Sequence, residues 1–172
     1  MEAVETIPEF GEKRENEERR DGGCAIVFDP VTQKYAVGRD TDDGFIRLFS
    51  GGVEEGEDTA QAILREVTEE SGLHDFGHVE KVGEAMAHYH NKLKNVNRVA
   101  HATCLLIVLE SAHVVPTQLE EHEKFTLAWV GADELFENWK AQGRGVDHWV
   151  YFLRRAVARA KELGYDTTSE LS

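Results

Sequence analysis

Three glutamates, Glu66, Glu69 and Glu70, follow a glycine-bearing stretch, Gly51-Gly52-Val53-Glu54-Glu55-Gly56, at spacings that bring carboxylates together. At 100° per residue they project within roughly a 100° arc of one helix, while Ala60, Ile63, Leu64 and Val67 fill the neighbouring arc and would face a core. Carboxylates about 6 Å apart repel by roughly 3 kcal/mol per pair at an effective dielectric of 20. Arg65 brings a single compensating charge, so these residue types call for a divalent cation. Hard oxygen ligands suit Mg²⁺ or Mn²⁺ rather than zinc, and magnesium is typically held by a few carboxylates together with water and substrate phosphates. Such a set reads as a metal site for cutting phosphoanhydrides.

The elements that must position these groups are also marked. Glycines 51, 52 and 56 permit backbone turns that bring loop amides and carbonyls close to an ion or a phosphate. Asp58 followed by Gln61 has capping-box spacing and sets the helix start, and Gly72 suits a left-handed cap at its end. Loop and carboxylates are therefore held in fixed register.

The segment Gly51 to Leu73 is similar to the Nudix box, G-x5-E-x7-R-E-U-x-E-E-x-G-U with U aliphatic. Gly51, Glu57, Arg65, Glu66, Val67, Glu69, Glu70, Gly72 and Leu73 fill every fixed place. A Glu-rich solvated helix face would account for the carboxylates alone, but not for the glycine and arginine beside them. The resemblance implies an α/β fold, a Nudix-type α/β/α sandwich with a mixed β-sheet. It also implies a Mg²⁺- or Mn²⁺-dependent hydrolase of a pyrophosphate bond, in a nucleoside diphosphate linked to another moiety, such as a nucleoside triphosphate or a nucleotide sugar.

By the same resemblance Glu66, Glu69 and Glu70 are metal ligands, helped by a loop carbonyl that here belongs to Ser50, where many members carry another glycine. Arg65 and Glu57 resemble the family's ion-paired scaffold, beside Gly51. Many members place a general base or further metal ligand on a later loop. Glu120-Glu121-His122-Glu123 offers one, with Glu121 first and Glu120 and Glu123 behind it, and Glu70 is the other group able to take the proton.

A second constellation runs from His88 to His101, where histidines, lysines, asparagines and Arg98 crowd a short stretch of an acidic chain. Such a set suits phosphate and hydrogen bonds to a base or sugar. His88, Asn97, Arg98 and His101 would flank a hairpin tip on strands, where position is more rigid, with Lys92 and Lys94 on the tip itself. Arg39, Arg47 and Arg98 are candidate phosphate clamps, although an arginine on a strand is as often part of a surface ion pair.

At 172 residues and 41% hydrophobic content the chain is expected to form one domain, residues 23–163, preceded by a charged segment, 1–22, and followed by a tail, 164–172. No apolar run reaches membrane-spanning length and no signal-peptide core is present, so a cytoplasmic protein without membrane partners is expected. A net charge of −14 argues against DNA as a partner. It leaves open a small nucleotide or other diphosphate, which responds to the local field. Cys24 and Cys104 sit in apolar, strand-like runs and are expected as buried free thiols. Homodimers are common in the family, and the sequence leaves the oligomeric state open.

The pattern predicts strands over Cys24 to Phe28 and Tyr35 to Arg39, joined across Asp29-Pro30. Further strands are expected at Phe45 to Phe49, Val79 to His90, Val96 to Leu109 and Phe125 to Val130. Helices are predicted over Ala132 to Gln142, stopped by Gly143, and along Val146, Val150, Leu153, Val157 and Ala160. The charged segment 1–22 is expected to be loosely ordered or a short edge element. Two other classes compete with hydrolysis: a catalytically silent Nudix-fold module that binds a nucleotide or docks to a partner, and an isoprenoid-diphosphate isomerase. The first would be marked by loss of a box carboxylate, and none is lost. The second needs a catalytic cysteine, for which Cys104 in its apolar strand is a poor candidate.

Overall fold

The near-continuous apolar run at Ala102 to Leu109 lies in the middle of a mixed sheet in the computed structural model, which describes residues 6–143, 145–167 and 171. Its strands are β1 (Glu9–Phe10), β2 (Glu18–Arg19), β3 (Gly22–Asp29), β4 (Lys34–Asp40), β5 (Ile46–Arg47), β6 (Phe49–Gly52), β7 (Phe76–Asn91), β8 (Val96–Leu109) and β9 (Phe125–Val130). Helix α1 (Thr59–Ser71) covers one face, and α2 (Ala132–Gln142) and α3 (Asp147–Glu162) cover the other. β8 pairs in parallel with β3 and antiparallel with β7, and the helices on either side of the sheet cover both its faces, as its sequence requires.

Strand alternation divides the interior into two apolar clusters. Cys24, Ile26, Phe28, Cys104, Leu106 and Val108 point towards α2 and α3. Ala25, Val27, Leu105 and Ile107 point towards α1, meeting Ile63 and Val67. Cys24 and Cys104 are register partners and remain free, buried thiols.

β3 and β4 form the expected hairpin, with Asp29 opposite Lys34. Its turn is held by the Asp29 carboxylate, which accepts from Val31 N and Thr32 Oγ1, both at 3.0 Å. The expected Phe45 to Phe49 strand is instead two short ones, because the chain changes partner at Leu48: β5 pairs with β4, whereas β6 pairs with β3. β7 begins at Phe76, three residues before the expected Val79, and carries a register shift between Lys81 and Gly83.

Within the N-terminal segment, β1 adds in parallel to β7 at Met86 and Ala87, and β2 adds in parallel to β8 at Arg98 and Val99. Residues 11–17 therefore strap across the β7–β8 hairpin. Asn97 Nδ2 donates to Glu15 O at 2.9 Å, and His88 Nδ1 lies 2.9 Å from the Glu17 carboxylate in a largely water-free contact.

Helix α2 is locked to the sheet by Trp139, whose Nε1 donates to Ile46 O at 2.9 Å while the ring is fully buried. Trp139→Phe removes the donor and leaves that carbonyl dry, at a cost of about 1–3 kcal/mol. The expected result is a Tm lower by about 2–4 °C per kcal/mol, read by thermal melting. An unchanged Tm would show that the Ile46 carbonyl finds another donor. Among the described residues no helix is long and apolar enough to cross a membrane.

Candidate active site

Asp58 starts α1 by accepting from Gln61 N at 2.9 Å, and Gly72 ends it with φ 83° and an N–H donated to Thr68 O. These caps fix the rotation of α1 about its axis. With Ile63 and Val67 in the core, Glu66, Glu69 and Glu70 turn towards β6 and line a cavity of roughly 870 Å³. Ser50, Gly51, Glu57 and Arg65 line it too, as do Arg47 and Glu123.

Arg65 draws the carboxylates together from one side. Its guanidinium lies 3.2 Å from Glu57 and 3.3 Å from each of Glu66 and Glu69. Glu57 is itself held in the loop by accepting from Glu54 N at 3.1 Å. Gly51 faces the Glu66 side chain so closely that a Cβ would fall within 3.0 Å of its carboxylate. The sheet and the helix thus meet at a place where only a residue without a side chain fits.

Glu70 differs from its neighbours in being 6% exposed. Its Oε1 accepts from Ser50 N at 2.8 Å. Burial, and then a hydrogen bond with Glu123, push its carboxyl up to about 10, while the Ser50 amide pulls the other way. Burial also raises Glu66, helped by the Glu69 charge and opposed by Arg65. The protein alone therefore holds Glu70 protonated at neutral pH. A site that concentrates carboxylates, buries one and neutralises it with a proton fits a divalent cation, which can take the place of that proton.

Among the described residues no group of three or more His, Cys, Asp or Glu side chains forms a ready-made cage.

The raised carboxyls predict a pH dependence of stability. An acid whose folded pKa exceeds its unfolded value favours folding while both states are protonated. That contribution is complete below the ordinary carboxylate value, 4.5, and is lost as pH climbs towards about 10. In EDTA the Tm is expected to fall between about pH 5 and pH 9. Glu70→Gln should flatten the slope, and saturating Mg²⁺ should offset it. A slope unchanged by Glu70→Gln would remove Glu70 as its origin.

The remaining candidates separate. Arg47, on β5, lines the cavity, lies 3.5 Å from Asp40 and stacks over the Phe125 ring at 5.1 Å. Arg39 is exposed on β4 and does not line it. Glu121 is exposed and does not line it either. Glu123 does, because the 120–123 turn, closed by Glu123 N donating to Glu120 O, carries its side chain inward to Glu70.

The basic island is split by strand alternation. Arg98 faces the α3 side, where it lines a second cavity. His101, three residues on, faces the α1 side, 3.3 Å from Glu84 but not aligned for a hydrogen bond. His88 and Asn97 are engaged by the N-terminal strap, and His90 Nδ1 lies 2.9 Å from Asn97 Oδ1. Arg20 and Trp149, which line both cavities, escaped the sequence reading. Arg20 immediately precedes Asp21-Gly22-Gly23, a glycine pair beside a cation that was a usable mark.

A family model described as NUDIX domain matches residues 19–150. Among solved structures, the fold is similar to a C. elegans Ap4A hydrolase in a binary complex, at 15% identity and TM-score 0.61, covering 83% of this chain and 98% of that one. It is likewise similar to the NUDIX domain of Shewanella oneidensis NrtR complexed with ADP ribose, at 15% identity and TM-score 0.61, covering 83% and 89%. A NUDIX hydrolase from Nitrosomonas europaea matches at 19% identity and TM-score 0.53, covering 88% of this chain and 100% of that one. No curated protein matches the sequence. At these identities the likeness to the solved structures is one of fold.

Proposed function

Since the chain belongs to the NUDIX domain family and is a Nudix-type pyrophosphohydrolase, we propose that it cleaves a phosphoanhydride in a nucleoside diphosphate derivative with Mg²⁺ or Mn²⁺ held at the α1 carboxylates. The observation that carries this reading is the buried Glu70 carboxyl, fixed by Ser50 N and raised by burial and then by its contact with Glu123. Glu66, Glu69 and Glu70 are the ligand set, with the Ser50 carbonyl as a further oxygen donor. Arg65 and Glu57 orient them without touching substrate.

A bound divalent ion would lower the pKa of a water and offset charge growing on the phosphoryl oxygens. The protein's own part is to hold the diphosphate against that set and to accept the water's proton. Glu123 and Glu70 are the groups placed for the second task, and the exposed position of Glu121 makes it the weaker base. Arg47, which also lines the cavity, is suited to a phosphate oxygen. Cys104 has no exposed surface and its thiol is pushed up by burial and by Cys24, which weighs against an isomerase. A soluble cytoplasmic protein acting on a small nucleotide, as a homodimer, remains the proposed setting.

The test is a panel of nucleoside triphosphates, dinucleoside polyphosphates, ADP-ribose, NADH and capped RNA, assayed for phosphate or pyrophosphate release with Mg²⁺ and Mn²⁺. Metal-dependent release from at least one is expected. Release that persists in EDTA would sink the metal assignment.

A further inference from the structure

A second cavity, of roughly 760 Å³, adjoins the carboxylate cavity and shares Arg20, Ser50, Gly51, Gly52 and Trp149 with it. Strand alternation supplies its base: Arg98, Ala100 and Ala102 of β8 lie on the side facing α3. Phe10 from the N-terminal segment and His148 and Trp149 from α3 supply aromatic walls. Burial pushes His148 down to about 4, so its ring is neutral at pH 7.

Arg98 is the anomaly. It is 9% exposed, and its Nε has neither solvent nor a hydrogen-bond partner. Among the described residues no carboxylate forms an ion pair with it, and its side chain makes no other polar contact. A guanidinium stays charged at every pH the fold survives; its terminal nitrogens open onto the cavity while Nε is cut off from both water and protein, a cost that an acceptor entering the cavity would offset. No described residue does.

The surrounding charge points the same way. Arg14, Arg20 and Lys92 also line the cavity, against the carboxylates of Asp21 and Asp147. Asp21 is already engaged by Arg19 at 3.0 Å and by the His101 amide, while among the described residues the Arg20 guanidinium pairs only with Glu54, at 3.8 Å. In a chain of net charge −14 this cavity is locally cationic. A planar donor fork at the base of such a cavity suits the tetrahedral oxygens of phosphate.

We infer that this cavity is an anion subsite, with Arg98 as its principal donor, and that it takes a phosphate of the substrate additional to the anhydride being cleaved. The substrate class is then a nucleotide carrying phosphate at two separated places, one at the α1 carboxylates and one at Arg98, with its base or sugar against the aromatic walls between them. That the anion belongs to the substrate rests on the pyrophosphohydrolase reading; the affinity of the cavity for phosphate does not.

The test has a binding arm and a kinetic arm. In the first, the full chain in EDTA is titrated with inorganic pyrophosphate by calorimetry, where no metal can hold phosphate at the carboxylates and no turnover occurs. Saturable binding is expected, weakened about tenfold or more by Arg98→Gln and retained by Glu69→Gln. Arg98→Lys, which keeps the charge but loses the fork, should fall between them, and melting curves check that each variant folds. Absence of saturable binding, or binding indifferent to Arg98→Gln, overturns the subsite, whatever the hydrolase panel shows.

In the second arm, Arg98→Gln is assayed on whichever substrate the panel identifies. KM is expected to rise about tenfold with kcat changed by less than about twofold. Pyrophosphate binding lost without a change in KM would place the anion outside the substrate and overturn that half of the inference.

Discussion

Replacing Glu70 by glutamine is expected to lower kcat by about 10²–10⁴-fold, the range over which a positioned proton acceptor contributes, while leaving the fold intact. The two halves of this result have separate causes. Glutamine keeps an oxygen that can accept from Ser50 N and offers an N–H₂ to Glu123, so both hydrogen bonds that seat Glu70 survive the change. What disappears is the ionisable oxygen, and with it a negative ligand for a cation and an acceptor for a proton. Phosphate or pyrophosphate release with Mg²⁺, measured beside a melting curve, checks both halves. Near-wild-type turnover on the true substrate would falsify the placement of the metal at this carboxylate.

The second large effect is expected from a single methyl group. In Gly51→Ala the new Cβ would fall within 3.0 Å of Cγ, Cδ and Oε1 of Glu66, so the carboxylate must leave its place. Glu66 can do this at little cost in stability, because its side chain reaches solvent. Displacement of a reacting or ligating group by about 1 Å costs on the order of 10²-fold in rate. The expectation is therefore an activity loss of about 10²-fold with a Tm within a few degrees of wild type. Gly131→Ala serves as the control, since its backbone is extended and a Cβ there meets no atom within 4 Å. Equal rates for the two variants would mean that Glu66 does not need its present position.

Both effects concern residues 51 to 73, where the sequence was most readable. The Asp58 and Gly72 caps, the apolar stripe through Ile63 and Val67, and the carboxylate arc are interactions among near neighbours, so a 3.6-residue period states them directly. Strands β3, β4, β8 and β9 were legible for a related reason, since a period of two fixes which residues share a face. That parity already separates Arg98 from His101, which lie an odd number of residues apart.

Sequence by itself thus determined the family, the carboxylate helix with its glycine loop, and the alternation along the central strands, all short-range facts. Tertiary structure alone decided which face of β8 met α1 and which met α3, and so left Arg98 in a cavity and His101 beside Glu84. It also brought Glu15 and Glu17 across some seventy to eighty positions to Asn97 and His88, contacts that no local pattern encodes. In the 120–123 turn, backbone geometry sent Glu123 inward and left Glu121 exposed, a choice that four neighbouring polar residues do not encode. The physical reason is common to all three: contacts between distant segments depend on register and packing, which the spacing of residues within one segment cannot carry.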